Sequence, residues 1–391
     1  MNLGPEIGPG GGAGARWWRE GGRPAVVKLR DDFGLAAELA RDHPEILVIG
    51  RVHEGPELDP VNDYNAGKSP EQAAEDFISR QRAKYELNPA IKVWEGPNET
   101  GLGHGAATAP DVVSRMVWYA SFEIWRLVLL KTMGLRGVVG NFSTGTPDLA
   151  LWAHFRPALA SAVAHGGYLG VHEYGGAFLW HDAGSNILRY RNVPEIAQSG
   201  VKLIITECGL DRVQGPPGYV TGAWRDLCPQ WEQRGDVLPG GDCASFYAAQ
   251  LRWYEAELRR DGAMGCVFTC DPAWPQYRID NSAVLDELIQ YGRTQPEPQP
   301  PQPPEPEPEP EPEEPMTLLN DIVIVTLKRK LTRRDAKGNS LETLEPGESR
   351  KVYVRPINFR WQFGDRRLII VDSNVESLWA GTEAEPSVEY L

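Results

Sequence analysis

Short apolar runs alternate with longer stretches of helical pattern eight times along residues 1–294. The predicted strands are 2–8, 25–30, 46–51, 91–94, 135–141, 168–173, 202–207 and 265–270. Apolar residues recur with helical spacing most clearly over 69–87, 111–133, 149–165 and 242–260, whereas the first helix is weak and limited to 15–20. Strands that alternate with helices indicate βαβ units and parallel pairing. Eight such units predict a (β/α)8 TIM barrel, an α/β fold.

A doubly wound open sheet is the alternative fold. Such sheets usually have a glycine-rich phosphate loop between a strand and the helix that follows it. The run Gly8-Pro9-Gly10-Gly11-Gly12 is rich in glycine, but it matches neither GxGxxG nor the GxxxxGK pattern of a P-loop. Nucleotide binding is therefore only weakly indicated, and the barrel is the prediction.

Proline and glutamate mark a boundary after the barrel. Residues 295–315 contain eleven of the 33 prolines and seven Glu, without Lys or Arg, which predicts an extended linker of polyproline-II type. Apolar or alternating runs at 321–327, 351–354 and 367–371 predict strands beyond it. The predicted domains are thus a barrel over 1–294, a linker over 295–315 and a small β-rich domain over 316–391. A disordered tail after residue 291 is the alternative.

The formal net charge of −14 is spread unevenly along the chain. The linker contributes seven negative charges and residues 316–391 carry a net +1, which leaves −8 for the barrel. We predict no nucleic-acid partner, because phosphate binding requires clustered Lys and Arg. No run reaches the roughly 18 apolar residues of a membrane span. The first residues lack the pattern of a signal peptide, so we expect a secreted or cell-surface protein if a leader has been removed and a cytoplasmic one otherwise.

Two carboxylates end apolar strands in a specific setting. Glu99 ends the segment IKVWEGPNE after the fourth predicted strand, and Glu207 ends LIITE on the seventh. Active sites of parallel barrels lie at the carboxyl ends of the strands, an end that we call the mouth. We therefore predict that Glu99 and Glu207 meet at the mouth. The alternative for either residue is a solvated Glu at a strand end.

Three short motifs stand on the fourth, sixth and seventh predicted strands: Pro97-Asn98-Glu99, His172 with Tyr174, and Thr206-Glu207. Together they resemble motifs of the clan A glycoside hydrolases, which are retaining enzymes on (β/α)8 barrels. The resemblance covers about residues 1–293 in layout, although its specific motifs comprise only about a dozen positions. It implies that Glu99 is the general acid/base and that Glu207 is the nucleophile.

Glycoside hydrolysis explains why two carboxyl groups are needed. One carboxylic acid protonates the leaving oxygen, and in retaining enzymes a second carboxylate about 5 Å away attacks the anomeric carbon. We expect mutual repulsion and partial burial to raise the pKa of Glu99 and to keep it protonated near neutrality. Tyr174 and a nearby cation would keep Glu207 ionised. Either Arg30 or Arg51 could be the arginine that the clan usually keeps near the nucleophile.

Other polar and aromatic residues near strand ends are candidate sugar contacts. The predicted substrate-binding residues are Arg51, His53, Asn98, His172, Tyr174, Trp180 and Trp274. Trp224 and Trp231 are also expected at the mouth, within a long loop over 209–241 that is predicted to act as a lid or subsite wall. Two further acids are less favoured: alternation sends Glu173 to the opposite face of its strand, and the direction of Glu95 is open.

The prediction is a retaining glycoside hydrolase that cleaves β-glycosidic bonds in a poly- or oligosaccharide, with neither metal nor organic cofactor. Buried free thiols are expected at Cys208, Cys266 and Cys270, whose spacing is unlike that of zinc ligands. One alternative is a non-catalytic glycan-binding or structural barrel of a surface or phage-like assembly. Another is an open-sheet enzyme with Cys208 or Cys270 as nucleophile. Residues 316–391 could contact a glycan or surface through the aromatic cluster at 359–363.

Overall fold

The first compact unit of the chain is a closed barrel of parallel strands. The computed structural model describes residues 1–53, 59–237 and 241–295, together with the backbone of seven short strands between 322 and 389. The chain divides into the units Met1–Pro300 and Pro301–Leu391. Eight strands pair in chain order, and β1 also pairs with β8, which closes the barrel. The strands are β1 Leu3–Ile7, β2 Val26–Arg30, β3 Leu47–Arg51, β4 Val93–Glu95, β5 Arg136–Phe142, β6 Tyr168–Gly175, β7 Lys202–Leu210 and β8 Met264–Val267.

All eight strands overlap the predicted runs, so the prediction of a TIM barrel is confirmed and the doubly wound open sheet is wrong. The helices are α1 Arg16–Arg19, α2 Ala36–Asp42, α3 Pro60–Asn65, α4 Pro70–Leu87, α5 Pro110–Thr132, α6 Trp152–Ala164, α7 Pro194–Ser199, α8 Trp224–Arg234, α9 Cys243–Asp261 and α10 Ala283–Thr294. The weak first helix is a single turn, α1. In contrast, α4 begins with a complete capping box, in which the Ser69 side chain accepts from the backbone of Gln72 and the Gln72 side chain accepts from that of Ser69.

The barrel interior is apolar near its amino-terminal end and charged near the mouth. A small buried cluster fills the lower part and comprises Val26, Ile49, Val93, Val138, Tyr168, Ile204 and Cys266. Side chains two positions apart on a strand point the same way. The next inward positions on β2, β3 and β4 are therefore Lys28, Arg51 and Glu95, and all three are buried. The larger apolar core lies on the other face of the strands and contains large side chains such as Trp94 and Trp152.

The glycine-rich run after β1 allows a close approach of the loops that follow β1 and β8. A Cβ atom on Gly11 would lie 1.4 Å from the carbonyl oxygen of Cys270, and one on Gly8 would lie 2.2 Å from Oδ2 of Asp271. The contact at Gly11 is with backbone, which leaves no room for a side chain, so glycine is required there. Close packing of the two loops therefore accounts for Gly11 without a phosphate ligand.

The segment 209–241, predicted as one long loop, contains the helix α8. Trp224 and Trp231 lie on this helix and are buried, so the prediction that they stand in a loop and are available to a sugar is wrong. A disulfide joins Cys228 on α8 to Cys243 at the start of α9. The other three cysteines are buried free thiols, as predicted.

The second unit contains two small sheets within the described residues. Its strands are β9 Ile322–Thr326, β10 Leu331–Arg334, β11 Ser340–Leu344, β12 Ser349–Tyr353, β13 Ile370–Val371, β14 Leu378–Trp379 and β15 Ser387–Glu389. They pair in the orders β11-β10-β14-β13 and β12-β9-β15. The predicted linker after residue 295 and the aromatic segment 359–363 lie outside the described residues. In the part of the chain that the structure describes, no helix is long and apolar enough to cross a membrane.

The disulfide should stabilise the α8–α9 corner. Its cysteines are 15 residues apart, and closing a loop of this size constrains the unfolded chain by about 3 kcal/mol. Replacing both Cys228 and Cys243 with Ser should lower the free energy of unfolding by about 2–4 kcal/mol in urea titrations. Wild-type protein under reducing conditions is the matched control. Labelling of five thiols instead of three in the denatured, unreduced protein would contradict the bond.

Candidate active site

A β-bulge places Glu207 inside the barrel. On β7, Ile204 points inward and Ile205 packs in the outer core, so strict alternation would direct Glu207 outward. The register between β6 and β7 shifts at this point: Val171 pairs with Ile205, and His172 pairs with Glu207. Thr206 is therefore the extra residue, and the bulge turns Glu207 toward the interior, where its contacts lie.

Two cations and a hydroxyl group hold the Glu207 carboxylate. Its Oε1 lies 2.9 Å from Nζ of Lys28 and 2.5 Å from Nη1 of Arg51. The Tyr174 hydroxyl donates to Oε2 at 2.9 Å. Burial acts to raise the pKa of Glu207, but the charges of His172, Lys28 and Arg51 outweigh burial and bring that pKa well below its ordinary value. Glu207 is thus a buried carboxylate that stays ionised.

The two candidate arginines have different partners. Arg51 forms an ion pair with Glu207. The resemblance implied such an arginine beside the nucleophile and left Arg30 and Arg51 as the two candidates. Arg30 instead pairs with Glu6 at 2.9 Å and with Asp271 at 2.5 Å. The structure therefore brings Arg51, and not Arg30, to the proposed nucleophile.

His172 connects the two predicted catalytic carboxylates. Its Nδ1 lies 2.8 Å from Oε1 of Glu99 and 3.5 Å from Oε2 of Glu207. Because both contacts share one nitrogen atom, the two oxygens cannot be farther apart than the sum of these distances. The backbone N–H of Glu99 donates to the carbonyl of Asn141 at 3.0 Å, and Glu99 has a positive φ of 45°. The structure thus brings Glu99, Glu207, His172 and Tyr174 together at the mouth.

The pKa of Glu99 differs from the expectation. Partial burial acts to raise this pKa, but the hydrogen bond to His172 and the charge of His172 outweigh burial, so the pKa lies below its ordinary value. The expected raised pKa is therefore wrong for the unliganded protein. The physical reason is that Glu99 has a direct histidine partner and keeps 39% of its side chain exposed.

The predicted aromatic contacts lie in two places. Trp274 is 45% exposed, and its ring packs at 5.7 Å from that of Phe268, which packs at 6.1 Å from Tyr174. Trp180 is 38% exposed and borders a separate pocket of about 460 Å³. This pocket is lined by Phe178, Trp180, His181, Pro216, Tyr219, Asp236 and Phe246.

Two other predicted substrate-binding residues are exposed near strand ends. Asn98 is exposed directly before Glu99. His53 is exposed after β3, and its backbone N–H donates to Asp31 at 2.7 Å. Their role in substrate binding stays a prediction.

A layer of buried charges lies beneath Glu207, where the sequence had left open the direction of Glu95 and whether Lys28 and Glu6 contact a sugar or form salt bridges. Nζ of Lys28 also lies 3.3 Å from Glu95 and 3.5 Å from Glu6, and all three side chains are buried. Glu95 thus points inward, which the inward position of Val93 two residues earlier could have revealed. Glu173 points to the other face, as predicted, where it accepts from Tyr254 at 2.5 Å and from two backbone N–H groups, and burial raises its pKa to about 7.

The cysteines do not fit the alternative role of nucleophile. Cys208 and Cys270 are fully buried. Burial raises the pKa of both thiols well above its ordinary value, which disfavours the reactive thiolate.

The comparisons with known proteins found similar solved structures only. No family model and no curated protein matches the chain. The trimodular endo-β-1,4-glucanase of Bacillus halodurans aligns with 75% of this chain and 60% of its own, with 9% identity and a TM-score of 0.44. The endo-β-1,4-mannanase of Thermotoga petrophila aligns over 74% and 76%, with 10% identity and a TM-score of 0.41.

Proteins of another kind match to the same extent. A xylose isomerase domain protein of Planctomyces limnophilus aligns with 75% of this chain and 97% of its own, with 12% identity and a TM-score of 0.40. The matches thus include an endo-β-1,4-glucanase and an endo-β-1,4-mannanase as well as a xylose isomerase domain protein. A shared barrel does not by itself specify an activity.

Removing His172 should raise the pKa of Glu99. In His172→Ala, burial of the Glu99 carboxyl remains while its hydrogen-bond partner is lost, so the pKa should move to or above its ordinary value. The measurement is a ¹³C NMR titration of carboxyl-labelled Glu, with the Glu99 signal assigned by Glu99→Gln. His53→Ala is the matched control and should leave the pKa of Glu99 unchanged. An unchanged Glu99 titration in His172→Ala would show that the contact is not formed in solution.

Proposed function

We propose that the barrel is a retaining glycoside hydrolase that acts on β-glycosidic bonds of a poly- or oligosaccharide. The observation that carries the proposal is the contact of Glu99 and Glu207 with the same nitrogen of His172, at 2.8 and 3.5 Å. The sum of these distances lies below the about 6.5–9.5 Å that separates the carboxyl groups of inverting enzymes. It is compatible with the about 5–5.5 Å of retaining enzymes, which leave no room for a water molecule between the sugar and the second carboxylate.

In the proposed first step, an oxygen of Glu207 attacks the anomeric carbon and the bond to the leaving oxygen breaks. Glu99 gives its proton to that oxygen. In the second step Glu99 takes a proton from water, whose oxygen attacks the anomeric carbon and releases Glu207 as a carboxylate. The contacts of Glu207 with Lys28, Arg51 and Tyr174 support its role, because they keep the attacking group ionised.

The lowered pKa of Glu99 sets a condition on this mechanism. The first step needs Glu99 in its protonated form, whereas His172 favours the carboxylate in the free protein. The reactive form is therefore better populated at acidic pH, and kcat/KM should fall as the pH rises toward neutrality.

Aromatic side chains supply two candidate sugar subsites. Apolar faces of sugar rings can stack on exposed aromatic rings, and the exposed ring of Trp274 is linked through Phe268 and Tyr174 to Glu207. We assign Trp274 to the sugar next to the cleaved bond. Trp180, in its separate pocket, is assigned to a more distant sugar of the same chain.

A glycan-binding barrel without hydrolysis is the second candidate function. The lowered pKa of Glu99 favours it, because a carboxylate does not donate a proton. The two candidates differ in one measurable property: both bind a glycan, but only the hydrolase releases reducing ends.

The two carboxylates should have separable effects in a polysaccharide panel assayed for reducing ends. Glu207→Gln should abolish turnover and leave the fold intact. Glu99→Ala should lower the rate on natural linkages by about 10²–10⁴-fold, retain more activity on aryl glycosides with good leaving groups, and recover in part with azide. NMR should show that the first product keeps the anomeric configuration of the substrate. Full activity of Glu207→Gln, or an inverted product, would refute the proposed mechanism.

The two tryptophans should respond differently to substrate length. Losing a stacking partner worth about 1–1.5 kcal/mol should raise KM by about 5- to 12-fold. Trp274→Ala should raise KM for short and long oligosaccharides alike. Trp180→Ala should raise KM for long oligosaccharides only. Each variant is the control for the other in a comparison of KM against chain length. Equal effects of Trp180→Ala at all lengths would contradict a distant subsite.

A further inference from the structure

A connected network of buried charges beneath the candidate nucleophile contains more carboxyl groups than cations. Lys28, Arg30 and Arg51 supply three positive groups. The buried carboxyl groups that they contact are Glu6, Glu95, Glu207 and Asp271. Arg30 also lies 3.9 Å from Asp31, which is partly exposed and is not counted among the buried groups. An uncompensated charge is costly in a buried site. These three cations and four carboxyl groups are neutral together if one carboxyl group holds a proton. His172, whose charge also acts on Glu207, lies closer to Glu99, at 2.8 Å against 3.5 Å, and is paired with that carboxylate outside this set.

Hydrogen bonding identifies which carboxyl group that is. Glu6 accepts from Arg30 at 2.9 Å, and Asp271 accepts from Arg30 and from the backbone of Ala273. Glu207 accepts from both of its cations and from Tyr174. Glu95 is the exception, because neither of its buried carboxyl oxygens accepts a hydrogen bond from the described residues.

Lys28 lies closer to Glu207 than to its other carboxyl neighbours. Its Nζ is 2.9 Å from Glu207, 3.3 Å from Glu95 and 3.5 Å from Glu6. The same Nζ donates to the carbonyl of Thr206 at 3.1 Å. Lys28 therefore contacts both the bulge that turns Glu207 inward and the carboxylate that the bulge presents.

We propose that Glu95 carries a proton at neutral pH and that Lys28 is the positioning residue that holds Glu207 ionised and inward. If Glu95 is neutral, Lys28 and Arg51 both pair with Glu207. An ionised Glu95 would compete with Glu207 for these two cations. The role of Lys28 rests on the proposed function, since it concerns the nucleophile. The proton on Glu95 is independent of that function.

The surroundings of Glu95 agree with this assignment. The charged and titratable groups that face it are Lys28 on β2, Arg51 on β3, His172 on β6, Glu207 on β7 and Cys266 on β8. Burial raises the pKa of Glu95, and the opposing effect of Lys28 and Arg51 does not cancel that rise.

Infrared spectroscopy of the whole protein tests the proton directly. With ¹³C-labelled Glu carboxyl groups, a protonated-carboxyl band should persist at about pH 8 and disappear in Glu95→Gln. Glu173→Gln is the matched control: it should remove a different band, one that titrates near the pKa of about 7 of that residue. If Glu95→Gln removes no protonated-carboxyl band, Glu95 is ionised and the assignment is overturned.

Variants of Lys28 test its positioning role. Lys28→Met should shift the acid limb of kcat/KM, and the ¹³C titration of Glu207, upward by at least about one pH unit, and Lys28→Arg should restore most of the shift. An unchanged Glu207 titration would overturn the role. If no substrate is hydrolysed, the proposed function fails while the titration and infrared results still decide this inference.

Stability measurements cover the case in which Lys28→Met folds poorly. Removing both Lys28 and the Glu207 charge should be less harmful than removing Lys28 alone, because the single variant leaves the buried network with one uncompensated negative charge. The double variant Lys28→Met/Glu207→Gln should therefore unfold at a higher urea concentration than Lys28→Met. A double variant no more stable than the single one would contradict the pairing.

Discussion

The candidate site depends on the pairing of buried opposite charges inside a closed barrel. Such pairs are stable only when each charge has partners, because desolvation of an isolated ion costs several kcal/mol. Lys28 and Arg51 supply these partners for Glu207, and Arg30 supplies them for Glu6 and Asp271. The eight-stranded barrel makes this possible, since neighbouring strands aim their inward residues at one axis. The apolar layer around Val26 and Ile49 closes the interior below the charges.

His172 gives the two carboxylates different environments. Glu207 is buried and has three further donors, whereas Glu99 is partly exposed and has His172 as its side-chain partner. Acid/base pairs typically consist of two neighbouring carboxyl groups whose environments push their pKa values apart. Here both pKa values are lowered in the free protein, so a bound substrate would have to change the surroundings of Glu99 before that group could act as an acid.

Much of the barrel was predictable because each of its strands is a short apolar run between helices. The position of Glu99 and Glu207 at strand ends followed from the same pattern, since both end apolar segments. The inward direction of Glu207 did not, because it depends on the bulge at Thr206. The helix α8 was missed because Pro229 lies inside it and further glycine and proline residues flank it, and Trp224 and Trp231 were misplaced with it. The pKa of Glu99 was not predictable, because it depends on a contact with His172, 73 positions later in the chain. The charged layer follows from alternation once the inward residues of β2, β3 and β4 are known.

The bulge at Thr206 has a consequence for how such a barrel acquires or loses reactivity. One additional residue in β7 decides whether the carboxylate enters the interior or joins the apolar shell under the helices. Shortening the strand by that residue would keep every side chain of the cluster in the sequence and still empty the position opposite His172. In a barrel of this kind, the length of a strand therefore decides which side chains face the interior, just as residue identity decides their chemistry. Two homologues with the same sequence motif can thus present different groups to a ligand.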